Sequence, residues 1–190
     1  MANKSDFIEL VQTHIKRDGT TRLLEWLANE TDFFTAPAST VYHQSYPGGL
    51  CEHSLQVFSA LTEEIRTVPN LTVSDETLAL ISLFHDVCKT NCYKQDFRNV
   101  KNQFGQWERV PYYKYTDCWG MGHGECSVWL LSKFIRLTDE EATAISSHMG
   151  GFDCRVKGGS NCVSTAFEKY PLAVLLHISD LKSTYLSKNS

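Results

Sequence analysis

The sequence predicts an all-α fold, one domain interrupted once by a β-hairpin or long structured loop around residues 91–119. Three observations lead there. Apolar residues recur at helical spacing through most of the 190 residues. Capping and stop residues bracket those runs. Only the segment after Asn91 abandons the period. A chain of this length forms one well-buried core and is short for two ordinary domains.

From Asp6 to Lys16, Phe7, Ile8, Leu10, Val11 and Ile15 fall near helical spacing, and Gly19 stops the run. Thr21 to Asn29 forms a second short helix, so residues 1–32 read as an N-terminal helical pair and 33–186 as the main body of the domain. Phe33 to Ser39 is an irregular apolar link. Leu50 to Arg66 aligns Leu50, Val57, Leu61 and Ile65 along one side and ends before Pro69. Ser74 caps a helix from Asp75 to Lys89, with two acids in the first turn where the positive end of the dipole favours them. Phe97–Lys101 and Trp107–Val110 alternate loosely on either side of a turn at Asn102–Gln106. Helices resume at Glu125 to Arg136, and Thr138 with Glu141 makes a capping box for a helix reaching His148. Gly150-Gly151 and Gly158-Gly159 bracket another loop, and Pro171 fits the first turn of a last helix to about Leu186.

The net charge of -4 argues against a general nucleic-acid-coating surface. No stretch approaches the roughly 20 apolar residues of a membrane span, and no secretory apolar region follows the first residues. Seven cysteines without a paired framework fit reduced thiols and a cytoplasmic location. Cys88 and Cys92 flank Lys89, but with no second pair at a suitable distance they read as packing thiols rather than zinc ligands.

Six residues, His53, His85, Asp86, His123, His148 and Asp180, carry the chemistry in the order His, His-Asp, His, His, Asp. Imidazole nitrogen and carboxylate oxygen are ligands for first-row divalent metals. His85 and Asp86 end an apolar helix, where a carboxylate is costly to desolvate and a cation removes the cost. Adjacent helix positions point about 100° apart, so the two reach one ion only from its two sides. Lys89 follows on the same face, placed to meet a phosphate or to offset Asp86 in a salt bridge. His177 shares a face with Asp180 and reads as an orienting or core histidine, and His14 as a surface one. His43 is a weaker candidate for the pocket wall. The Gly48-Gly49 turn and His123 stand at helix starts, where free N–H groups attract anions such as phosphate. Two arrangements fit: two ions sharing Asp86, or one ion on His53, His85, Asp86 and Asp180 with His123 and His148 on the substrate.

The order His, His-Asp, Asp is similar to that of the HD-domain superfamily of metal-dependent phosphohydrolases, a helical fold. His123 and His148 resemble the additions found in its two-metal branches, which include the HD-GYP cyclic-dinucleotide phosphodiesterases, though the Gly-Tyr-Pro signature is absent. Closer still, Ala36-Pro37-Ala38-Ser39, His43, Pro47 to Ser54, Ser146-Ser147-His148 and Leu176 to Asp180 resemble the catalytic domain of bacterial HD-type 3′–5′ exoribonucleases, over about residues 33 to 186. The resemblance implies His53, His85, Asp86 and Asp180 at one divalent metal, His123 and His148 at a second, and Lys89 near the phosphate. Asp86 and Lys89 are then the catalytic pair, and the ion is one of Mn, Fe, Co, Ni, Zn or Mg.

The insertion interleaves Tyr93, Phe97, Phe104, Trp107, Tyr112, Tyr113 and Tyr115 with Lys94, Arg98, Lys101, Arg109 and Lys114. Aromatic faces with cations suit a nucleobase and its phosphate, which makes Arg98 and Lys101 substrate-binding candidates; equally, the rings could pack the hairpin onto the helices. The leading expectation is hydrolysis of a nucleotide or short oligonucleotide by metal-activated water, with the acidic balance favouring small substrates over long RNA. A 3′–5′ exonuclease or cyclic-nucleotide phosphodiesterase is the neighbouring enzyme reading. A di-iron oxygenase and a non-catalytic binding module are the readings from other classes.

Overall fold

The computed structural model describes residues 2–40 and 44–187. His43 lies outside them. The described residues form nine α-helices, two 3-10 turns and one two-stranded antiparallel sheet. The helices are α1 (Ala2–His14), α2 (Thr20–Asn29), α3 (Gly49–Ile65), α4 (Asp75–Phe84), α5 (His123–Leu131), α6 (Asp139–Ser147), α7 (Cys154–Lys157), α8 (Cys162–Lys169) and α9 (Pro171–Tyr185). The sheet is β1 (Tyr93–Lys101) with β2 (Trp107–Tyr115), and the 3-10 turns are Val87–Lys89 and Gly150–Phe152. The protein is therefore mainly helical with a hairpin where the period fails. No described helix is long and apolar enough to cross a membrane.

One apolar core draws on almost every helix. Phe7 of α1 meets Phe33 and Phe84 with ring centroids 5.0 and 5.5 Å apart, so α1 packs into this core. Leu61, Leu80, Leu83, Leu130, Ile145 and Leu176 are fully or almost fully buried with them, each worth about 1.5–3 kcal/mol in transfer terms. α3 packs on α4 and α9, and α6 on α4, α5 and α9, so α3, α4, α6 and α9 share one packed unit.

The capping residues work as expected. Ser74 Oγ accepts from Thr77 N at 3.1 Å. Thr138 and Glu141 close the capping box, with Glu141 Oε2 accepting from Thr138 N at 2.8 Å. Glu141 does more than cap. It is fully buried, takes both Arg17 Nη groups at 2.6 Å, and accepts from Thr77 Oγ1 at 2.8 Å. α6 is thereby tied to the start of α2 and to α4.

Several elements depart from the sequence reading. α4 stops at Phe84 instead of running to Lys89: His85 caps it, Asp86 leaves helical geometry (φ -107°, ψ 17°), and a 3-10 turn follows. α5 starts at His123 and ends at Leu131, since tighter bonds to Leu130 and Leu131 carbonyls turn the chain before Arg136. The span between the glycine pairs is not a loop but a 3-10 turn and α7, which Asp153 caps through Arg155 N at 2.7 Å, with α8 beyond. The short α8 buries only Val163 and Ala166, too few apolar positions to register as a period. His14 is half-buried, its ring 5.9 Å from Phe58, not simply on the surface.

In the hairpin, Tyr93 pairs with Tyr115 and Lys101 with Trp107. The strands are longer than their alternating cores because the pairing continues down to the helices. Asn102 Oδ1 accepts from Phe104 N and Gln106 N at 3.0 Å, and Gly105 takes φ +76°, which makes the turn.

Candidate metal centre

Four helix ends, one turn and the body of α9 deliver the six candidates. His53 sits in the first turns of α3, His85 caps α4, Asp86 precedes the 3-10 turn, His148 caps α6, Asp180 lies in α9 and His123 opens α5. The break after Phe84 answers the divergence of adjacent helix positions, because outside the helix both His85 and Asp86 turn inward. Gly124 permits the closest approach: a Cβ there would stand 2.4 Å from Ile145 O, so α5 could not lie against α6.

The three inner rings are oriented from behind. His85 Nδ1 donates to Ser82 O at 2.8 Å and His148 Nδ1 to Ile145 O at 2.7 Å. Ser183 Oγ donates to Gln56 Oε1, so it accepts from His53 Nδ1 at 3.1 Å. These bonds from behind aim Nε2 of each ring at the centre of the cluster, the arrangement that outer partners impose on metal-ligating imidazoles. His53 Nε2 lies 3.3 Å from His85 Nε2 and 3.1 Å from Asp180 Oδ1. Asp86 Oδ2 lies 3.5 Å from His85 Nε2, 3.6 Å from His53 Nε2 and 2.6 Å from Lys89 Nζ. Asp86 Oδ1 and His148 Nε2 face one another at 3.5 Å, both buried acceptors, and neither has a hydrogen-bond partner among the described residues. An unmet buried acceptor costs about 1–3 kcal/mol, and a cation between them satisfies both at once.

Among the described residues, ligand atoms gather in three overlapping groups, each within 4.8 Å: His53, His85 and Asp180; His85, Asp86 and His148; Asp86, Cys88 and His123. Buried His and Asp groups of this kind could hold a metal ion. Electrostatics favour the coordinating forms of Asp86, Asp180, His53 and His123, with His85 the exception. Burial pushes the Asp86 carboxyl up, but Lys89 and His85 overcome it and hold it well below the usual range. Burial likewise raises Asp180, and His53 pulls it back below. Burial lowers His53 and His123. Burial lowers His85 as well, but the charge and hydrogen bond of Asp86, the charge of Asp180 and the Ser82 carbonyl together outweigh it and leave His85 raised. Burial also lowers Lys89, but Asp86 more than compensates and keeps it a cation.

The cluster opens on a cavity of about 690 Å³ walled in part by Lys89, Tyr115, His123, Phe152, Lys157 and Asp180. His123 stacks on Tyr115 at 5.7 Å and 20°. Lys89 bonds Ala38 O at 3.1 Å as well as Asp86, so it both pairs with the carboxylate and faces the cavity. His177 takes the orienting part: its Nδ1 donates to His148 O at 2.6 Å, and Gly150 (φ +53°) is required because a Cβ there would lie 2.3 Å from the His177 ring.

Other expectations fail. The Gly48-Gly49 turn offers no anion site, because Gly48, Gly49 and Leu50 N–H already bond Thr35, Tyr46 and Ala36 carbonyls at 3.0–3.1 Å. Arg98 and Lys101 do not line the cavity; Arg98 lies over Tyr112 and Lys101 over Trp107. The register puts them on opposite faces of the hairpin, so they do not act as one phosphate clamp. Nor do the rings all pack inward, since Phe97, Phe104 and Trp107 are 48%, 78% and 67% exposed. The sequence reading missed Lys157 and Cys88 at the site. Cys88 is buried, its Sγ 3.8 Å from His123 Nδ1, and burial pushes its thiol well up.

No family model matches the chain, and no curated protein or solved structure matches it.

Proposed function

We propose that this protein is a metal-dependent phosphohydrolase of the HD-domain type, acting on a nucleotide or short oligonucleotide. The observation that carries the reading is the pair of orphaned acceptors, Asp86 Oδ1 and His148 Nε2, inside a buried His/Asp cluster that opens on a cavity with two lysines. The His, His-Asp, Asp order of the sequence supports it, because those residues also converge in space. His53, His85, Asp86 and Asp180 would hold one divalent ion, and Asp86, His123 and His148 a second. Such ions generate a nucleophile from water at neutral pH and neutralise charge on the phosphate. Lys89, fixed by Asp86 and Ala38 O, and Lys157 across the cavity present positive charge to phosphate oxygens. Tyr115 and Phe152 supply aromatic surface for a base. The test is a panel of nucleotides, cyclic dinucleotides and short RNA with Mn²⁺, Co²⁺, Ni²⁺, Zn²⁺ and Mg²⁺. Phosphate or nucleotide release that Asp86→Ala abolishes supports the assignment. No release from any substrate, or oxygen uptake with iron, overturns it.

One observation favours a strand-degrading version. On the hairpin face that begins at Tyr93 and Tyr115, Arg109 lies 4.5 Å from the Phe97 ring and Lys101 5.2 Å from Trp107, while both hairpin acids, Asp96 and Glu108, fall on the other face. Tyr115 also lines the cavity, so this aromatic and cationic face runs into the site. Stepwise shortening of a labelled single strand, slowed by Phe97→Ala with Trp107→Ala, distinguishes this version from a mononucleotide hydrolase.

A further inference from the structure

We propose that Cys88 is itself a metal ligand, so that the ion on the His123 side is bound through a thiolate, Asp86 and His123. The proposal rests on the metal-binding reading above and names a donor that reading did not include. Read as helix, positions 86 and 88 point to opposite sides; the departure of Asp86 from helical geometry and the 3-10 turn after it bring both side chains to one place. The ligand atoms of Asp86, Cys88 and His123 lie within 4.8 Å of one another, and Cys88 Sγ stands 3.8 Å from His123 Nδ1. The independent sign of a ligand is Asp86 Oδ1, buried and without a hydrogen-bond partner among the described residues. The thiol is also held in place. Cys88 N donates to Ser127 Oγ at 3.2 Å from α5, and Trp119 Nε1 donates to Cys88 O at 3.2 Å from the preceding loop. Such outer bonds fix a ligand's position without occupying its donor atom.

The chemical consequence is selectivity. Carboxylate, carbonyl and water suit Mg²⁺ and Mn²⁺, whereas a thiolate shifts a site toward Zn²⁺ and Co²⁺. Binding deprotonates the thiol, and the proton leaves to solvent. Nothing is oxidised or reduced.

Cobalt gives the direct test, on the full chain stripped of metal and kept reduced without oxygen. Co²⁺ bound to thiolate shows a near-ultraviolet sulfur-to-cobalt charge-transfer band, whereas Co²⁺ on nitrogen and oxygen alone shows only its visible bands. Titration of the parent should raise the charge-transfer band to saturation, and a slight excess of Zn²⁺ should abolish it while a large excess of Mg²⁺ leaves it. Cys88→Ser should remove that band, keep visible bands from the His53 and His85 side, and weaken cobalt binding at least about tenfold on the His123 side. Cys92→Ser, at a neighbouring thiol outside the three donor groups, should keep it. Visible bands without the charge-transfer band in the parent, or a band that survives Cys88→Ser, overturn the proposal. Absence of any cobalt spectrum overturns the metal reading with it, so the two failures are distinguishable.

Discussion

Glu141 and Asp86 are both buried carboxylates beside a cation, and the structure treats them in opposite ways. Every lone pair that Glu141 turns inward finds a donor: two from Arg17, one from Thr77 and one from Thr138 N. Asp86 receives Lys89 on one oxygen, while its other oxygen faces the unshared pair of His148. A saturated carboxylate contributes to the fold and has nothing left to give a ligand. An unsaturated one, ringed by imidazoles pointed at it, could hold a cation. The comparison also shows how one serves the other, since Glu141 anchors the start of the helix whose far end presents His148.

The comparison breaks first at Asp86. Asp86→Ala should lower turnover at least about a hundredfold, beyond the 10–100-fold typical of losing an outer partner. It should also abolish stabilisation by metal, which in the parent should reach about 2.7 kcal/mol at a hundredfold excess over Kd. Steady-state rates and thermal unfolding with and without Mn²⁺ check both. Metal stabilisation that persists in Asp86→Ala would place the ion elsewhere.

Glu141→Ala should do the reverse. It takes from Arg17 its fully buried partner, leaving Glu76 and the Arg136 carbonyl, and costs about 3 kcal/mol, lowering Tm by about 6–12 °C in a chain of this size. The loss should be the same with or without metal, measured by the same melts. A smaller effect, about 1.4 kcal/mol or tenfold in metal affinity, is expected for His177→Ala, which frees the His148 carbonyl. Calorimetric titration of that variant separates it from a simple packing loss, which would change Tm alone.

The smallest effect is in pH. Burial raises the Glu141 carboxyl, but the bond from Arg17 and its other partners hold it below its ordinary value. A depressed native pKa contributes stability that is complete above the unfolded value and is lost as pH falls through the native one. The parent should therefore lose stability below about pH 4.5 more steeply than Glu141→Gln, which has no charge to lose there. Parallel denaturant melts across that range would show it, and identical slopes would mean that Arg17 is not the partner that matters.

Much of this was legible in the sequence, for local reasons. The Ser74 cap and the Thr138–Glu141 box depend on neighbours three residues apart, and the hairpin turn on Asn102 and Gly105. The six His and Asp candidates stood out because such residues at the ends of apolar runs need partners. What stayed hidden depends on long-range contacts. Arg17 reaches Glu141 across 124 positions. At the Gly48-Gly49 turn, the Gly48 and Leu50 amides were consumed by Thr35 and Ala36, which no local pattern places there. Cys88 and Lys157 entered the site only because α4 broke early and the glycine-bracketed span folded into helix.

The central claim, that the cluster around Asp86 holds divalent ions, is tested most directly by counting them. Metal-stripped parent and Asp86→Ala, dialysed against the same Mn²⁺ or Co²⁺ at one pH and desalted identically, are compared by elemental analysis. About two ions per parent chain are expected, and none above background in the variant, because both proposed positions share that carboxylate. A parent that retains no ion, or a variant that retains as many as the parent, would contradict it.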